Sequence, residues 1–147
     1  MTLAATIIFR IVNHKYEFLL LKRLPVVGGF WQYAGGSIED GEDHLEAAYR
    51  EVFEEAGIAK KDVIRVIDNV YYFTMDKHYL TNEPMPIQEE FVYAFEVKPN
   101  TKININNNPC SEHDAYRWVD FDSAMKMLKW DNNKDAFNKL KKILKLS

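Results

Sequence analysis

"GGSIEDGEDHLEAAYREVFEEAGI", residues Gly35 to Ile58, decides the reading of this chain. It holds eight carboxylates and a single Arg. Leu45, Ala48, Val52 and Ala56 recur at three- and four-residue steps, which predicts an amphipathic helix over about 43–56. "EDGED" supplies capping oxygens and first-turn acids, and Gly57 sits where a left-handed C-cap belongs. Glu51, Glu54 and Glu55 have the spacing of one helix face, expected opposite the apolar stripe. Like charges at that spacing repel, and a divalent cation would remove the penalty. Carboxylate oxygens are the hard ligands that Mg²⁺ or Mn²⁺ take. Arg50 can brace one carboxylate by a bidentate pair. Gly35 and Gly36 allow a tight turn against the helix, where a backbone group can reach a metal or a phosphate. Three glutamates alone would read as a solvated acidic face.

The complete pattern says more. Gly36, five residues, Glu42, seven residues, then Arg50-Glu51-Val52-Phe53-Glu54-Glu55-Ala56-Gly57-Ile58 resembles the Nudix box at every fixed position. The resemblance implies hydrolysis of a diphosphate linkage in a nucleoside diphosphate derivative, with water attacking phosphorus and Mg²⁺ as cofactor, Mn²⁺ substituting. Carried over, Glu51, Glu54, Glu55 and Gly36 would serve the metal, Arg50 would orient a carboxylate, and Glu42 would support the site.

Outward from the box, "LAATIIFRIV" and "FLLLKR" read as hairpin strands around a turn at "NHKYE". "FWQYAGGSI" reads as two short strands about a Gly35-Gly36 turn. "DVIRVIDNVYYFTM" and "EEFVYAFEV" read as strands, with "DKHYLTNEPMPIQ" as the loop between them. The Asn-rich "KPNTKININNNPCSEHD" is a loop with room for a short strand at "KINI", followed by a strand at "AYRWVD". "DSAMKMLKW" and "NKDAFNKLKKILKL" read as two C-terminal helices. The order predicts an α/β sandwich with a mixed sheet, folded as one Nudix domain over 1–147.

The flanks speak to the substrate. "GFWQYAGGSIEDGE" and "WDNNKDAF" resemble the dihydroneopterin triphosphate diphosphatases, which also act on dATP, although Lys134 replaces the usual Arg. "AYRW" leans instead towards the asymmetric diadenosine tetraphosphate hydrolases, which would release ATP and AMP. The pterin or dATP reading is the one favoured. Glu112 in "SEHD" is by this resemblance a further metal-site carboxylate and the first candidate for general base. Glu55, Glu89 and Glu90 are its rivals, and strand alternation lets only one of Glu89 and Glu90 face the site. Arg10, Lys22 and Arg23 are candidate phosphate contacts. Tyr72, Phe73, His78, Tyr79 and Trp130 are candidates for a stacking wall, and Trp31 for core or cleft wall.

Composition sets the outer bounds. The chain has 147 residues, 47% hydrophobic, with a formal charge of −3, and a pI near 5.8. That balance argues against a general nucleic-acid binder and leaves a small phosphoanhydride as the expected partner, for a monomer or homodimer. A lone Cys110 excludes an internal disulfide and fits a reducing compartment. The apolar N-terminus, broken by Arg10, is too short to span a bilayer, so a cytoplasmic location is expected. A non-catalytic ligand-sensing module is the competing class, disfavoured by the intact box carboxylates.

Overall fold

The computed structural model describes residues 1–107 and 111–147. The expectation for Cys110 falls outside them. The elements are β1 (Thr2–Val12), β2 (Lys15–Arg23), β3 (Trp31–Gln32), β4 (Ala34–Ser37), α1 (His44–Ala56), β5 (Val63–Lys77), β6 (Pro84–Val97), β7 (His113–Val119), α2 (Phe121–Met127) and α3 (Asp131–Leu144). Short 3₁₀ turns at Pro25–Val27 and Lys60–Asp62 complete the order.

The sheet is mixed, as expected. β1 runs parallel to β6, and its other pairings are antiparallel. β1 and β2 meet through a tight turn at Asn13 and His14, both with positive φ (51° and 66°), the conformation that matches strand twist in a two-residue hairpin. The two strands pair only from Ile8↔Leu19 to the turn. Beyond that they part, and the segment 31–37 fills the gap: β4 pairs with residues 3–6 of β1, and β3 with Leu21 and Lys22 of β2. This wedge carries the first half of the site.

Alternation along β1 sends Ala4 and Ile8 to one face and Ala5, Ile7 and Phe9 to the other. The first face packs on Ala47, Ala48, Val52 and Ala56 of α1, and the second on Ala136, Phe137 and Leu140 of α3. The result is the predicted sandwich of helices on both faces of the sheet.

Several local expectations are corrected. Leu45 is exposed and Ala47 takes its place in the stripe, because the sheet contact begins only after the first turn of α1. The Gly35-Gly36 pair lies inside β4 rather than in a turn. "KINI" forms no strand. Ile103 and Ile105 pack beside the α1 core, and the Asn104 amide bonds to the Ala56 carbonyl at 2.8 Å. The expected 13-residue loop shrinks to residues 78–83 between two long strands. Pro84 and Pro86 are tolerated there because β1 joins β6 only from Glu89 onward, which leaves one edge of the prolines open. Among the described residues, no helix is long and apolar enough to cross a membrane.

Candidate active site

The site starts from small residues. Ala4 and Ala34 of the sheet meet Ala47, Ala48 and Ala56 of α1, so helix and sheet approach closely. Asp43 caps the helix by accepting from the Glu46 amide at 2.8 Å, and Gly57 ends it at φ 70°. At 3.6 residues per turn, Glu51 and Glu55 fall between Ala47 and Ala48 on the helix wheel. They therefore lie within the sheet-facing arc, not opposite it, and are mostly buried, at 13% and 10% side-chain exposure. Glu54 sits at the margin, at 37%.

Arg50 organises the acids. Its Nε and Nη2 donate to the two oxygens of Glu42 at 2.8 and 3.0 Å, and Nη2 also reaches the Ser37 carbonyl at 2.9 Å. Nη1 donates to Glu51 at 2.8 Å and to Glu54 at 3.2 Å. The bidentate pair falls on Glu42, which in turn accepts from the Glu39 amide. These bonds hold the Glu42 carboxyl below its usual range. Glu55 is held separately, accepting from the Gly35 amide at 2.7 Å. A Cβ at Gly36 would overlap the Glu51 carboxylate, so that carboxylate lies against the bare Gly36 backbone. Gly36→Ala should displace Glu51 from Arg50 and lower kcat about 10–100-fold, as loss of a supporting contact does. Unchanged kcat would show the Glu51 position to be irrelevant.

Glu112, ahead of β7, is brought to the same place. It pairs with Arg23 at 3.2 Å, and its charge raises the pKa of both Glu51 and Glu55. Burial is the larger cause for both groups, and Glu55 is pushed well above its ordinary value. His113 is buried. Its Nε2 lies 2.9 Å from the Gln32 side-chain amide, which assigns the proton to Nδ1, facing Glu55 at 3.6 Å. Burial, then the Arg23 charge, lowers its pKa to about 4, so it is neutral.

A cleft of about 370 Å³ opens beside the acids, and Arg23, Gln32 and Gly35 belong to both. Phe30, Tyr79 and Trp130 form one wall, with ring centroids 5.3–6.2 Å apart in edge-to-face contacts. Arg23 lies over Phe30 and Tyr79 and donates to the Val27 carbonyl and the Tyr79 hydroxyl. Phe73 and His78 also line the cleft, whereas Tyr72, on the other face of β5, packs on Phe91.

Three expected substrate contacts stand apart. Arg10 is at the far end of β1, bonded to Glu17 and the Pro99 carbonyl and stacked over Trp118. Lys22 pairs with Trp31 and Ala115 outside the cleft, and the register shift after it makes Arg23 the cleft residue. Trp31 packs into the core and bridges to Leu128. Phe30, Gln32, Tyr33 and Asn133 line the cleft without having been singled out. Their signal was membership of "GFWQYAGGSIEDGE" and "WDNNKDAF", the segments that resemble the pterin enzymes.

The acids fit a divalent cation by chemistry: hard oxygen donors, two of them buried and mutually repelling. Among the described residues they are not drawn together as a ready ligand cluster, because Arg50 and the Gly35 amide engage them.

The NUDIX domain model matches residues 1–140, and the chain belongs to the Nudix family. It is 32% identical over 117 residues to an RNA pyrophosphohydrolase of Mannheimia succiniciproducens, covering 76% of this chain and 58% of that one. It is 35% identical over 112 residues to an octanoyltransferase of Myxococcus xanthus, covering 75% of this chain and 28% of that one. The chain thus spans less than two thirds of the length of these curated relatives. Among solved structures, a Caenorhabditis elegans Ap4A hydrolase superposes with a TM-score of 0.78 at 23% identity, over 98% of this chain and 97% of that one. The Escherichia coli dihydroneopterin triphosphate pyrophosphohydrolase superposes at 0.72 and 24% identity, over 94% and 92%. At those identities the likeness is one of fold.

Proposed function

We propose that the chain is a Mg²⁺-dependent pyrophosphohydrolase. It would cleave a nucleoside or pterin triphosphate, such as dATP or dihydroneopterin triphosphate, to the monophosphate and pyrophosphate. The observation that carries this is the convergence of Glu51, Glu55 and Glu112 beside a cleft walled by aromatic rings. A divalent cation there, held by Glu51, Glu54, Glu55 and Glu112 with a Gly36 backbone group, would offset phosphate charge and activate water.

The chain's own residues do the rest. Arg50 fixes Glu51 and Glu54, and Glu42 fixes Arg50. Arg23, at the junction of acids and cleft, orients phosphate oxygens. Glu112 takes the proton of the attacking water at a carboxylate oxygen. A new oxygen–phosphorus bond forms, the anhydride bond breaks, and pyrophosphate leaves with the electron pair. The aromatic wall stacks the heterocycle. The chain would act as one Nudix domain in the cytoplasm, as monomer or homodimer.

A second reading is hydrolysis at the 5′-triphosphate end of RNA. It is favoured by the RNA pyrophosphohydrolase relatives and opposed by the acidic balance. Chromatographic product analysis with Mg²⁺ separates these readings and the dinucleotide alternative. Monophosphate plus pyrophosphate from the pterin or dATP supports the first. Preferred release of pyrophosphate from RNA supports the second, and ATP plus AMP from diadenosine tetraphosphate supports the third. Glu112→Gln should lower kcat by about 100-fold or more, within the range of general-base catalysis. A rate within a few-fold of wild type would move the base to Glu55 or Glu90.

A further inference from the structure

Glu90 is a carboxylate on the wall of the cleft. Strand alternation on β6 puts it on the cleft side, next to Leu3 of β1 and Phe73 of β5 in the register. Glu89 faces the other way and accepts from the Tyr72 hydroxyl. Among the described residues, no hydrogen bond or ion pair within 4 Å reaches the Glu90 carboxyl. Arg23, Lys77, His78 and Tyr79 line the same cleft, but each leaves it unpaired. Tyr33, whose hydroxyl accepts from the Asn133 amide at 3.2 Å, is close enough for the Glu90 charge to raise its pKa. Glu90 is half-buried at the cleft wall, and a ligand that covers it there must pair its carboxyl or leave it desolvated at a cost in free energy.

We propose that Glu90 reads the hydrogen-bonding edge of the substrate's heterocycle, selecting a 2-amino-4-oxo ring, as in guanine or a pterin, over a 6-aminopurine. The inference rests on the hydrolase reading above and deepens it. An ionised carboxylate offers acceptors only. That matches the ring N–H and exocyclic amine side by side on a 2-amino-4-oxo ring. Protonated, the carboxyl offers one donor and one acceptor, which matches the amine and ring nitrogen of adenine. Desolvation raises the Glu90 pKa to about 7, so both forms are populated near neutrality. The preference should follow pH. The carboxylate forms as pH rises through that value, and selectivity for the 2-amino-4-oxo ring rises with it.

The test is kcat/KM for dihydroneopterin triphosphate, dGTP and dATP across about pH 5.5 to 8.5, in wild type and Glu90→Gln. Ratios cancel ionisations common to all three substrates. Wild type should prefer at least one 2-amino-4-oxo substrate over dATP, by a ratio rising about tenfold with pH, the scale of one hydrogen bond to a charged group. Whichever of dGTP and the pterin shows the larger ratio identifies the source of the ring. Gln, a fixed donor and acceptor of the same shape, should flatten the pH dependence and lower the ratio about tenfold. A wild-type ratio flat in pH, or one unchanged in the variant, overturns the proposal. Calorimetric Kd values for dGMP and dAMP give a readout without turnover. Equal affinities in both proteins would overturn the selection even if no triphosphate were cleaved, whereas failure of cleavage alone would defeat only the hydrolase reading.

Discussion

Glu55→Gln is expected to lower kcat by at least about 100-fold while leaving the fold intact. Gln keeps the shape and still offers an oxygen to the Gly35 amide. It removes the charge proposed to hold the cation. The same change should not weaken the metal-free protein. Glu55 is buried and its pKa lies well above 4.5, so between its unfolded and folded values the native state binds more protons than the unfolded one. Stability therefore falls as pH rises through that window, and at neutral pH the buried Glu55 carboxyl opposes folding. In EDTA at pH 7 the variant should melt at or above the wild-type temperature, with the gap closing as pH is lowered towards 4.5. Near-normal kcat would remove Glu55 from the site. A lower melting temperature at pH 7 would mean that its carboxylate is structural.

Phe137→Ala should be the most damaging core change, at about 3–5 kcal/mol. The ring is fully buried on the α3 face and meets Phe18, Tyr33 and Phe121 with centroids 5.4–6.1 Å away. The cavity would open beneath α3, which also carries Asn132 and Asn133 into the cleft. Urea unfolding would register the loss directly. A change below about 1 kcal/mol would show that α3 contributes little to the core.

The sequence made the helix of the box, its caps and its acids legible because fixed spacing on a helix translates directly into position. It misplaced their orientation. A glutamate at Glu51 or Glu55 looks solvent-bound by residue type, yet the alanines around it let the sheet approach, and Gly35, Gly36 and Arg50 satisfy the buried oxygens. Arg23 and Tyr79 were legible as candidates, whereas Lys22 and Arg10 differ from Arg23 only by register and by position along the strand, which no local pattern reveals. Gln32, Tyr33 and Asn133 come together over about 100 residues of separation, and a single sequence carries no signal for such a contact.

A divalent-cation site on the acids of α1 underlies all the chemistry proposed for this chain. It can be probed by Mn²⁺ titration followed by electron paramagnetic resonance, in wild type and Glu51→Gln. Saturable loss of the free-ion signal is expected with wild type, and affinity about 10–100-fold weaker in the variant. Equal binding by both proteins, or no binding by wild type, would contradict it.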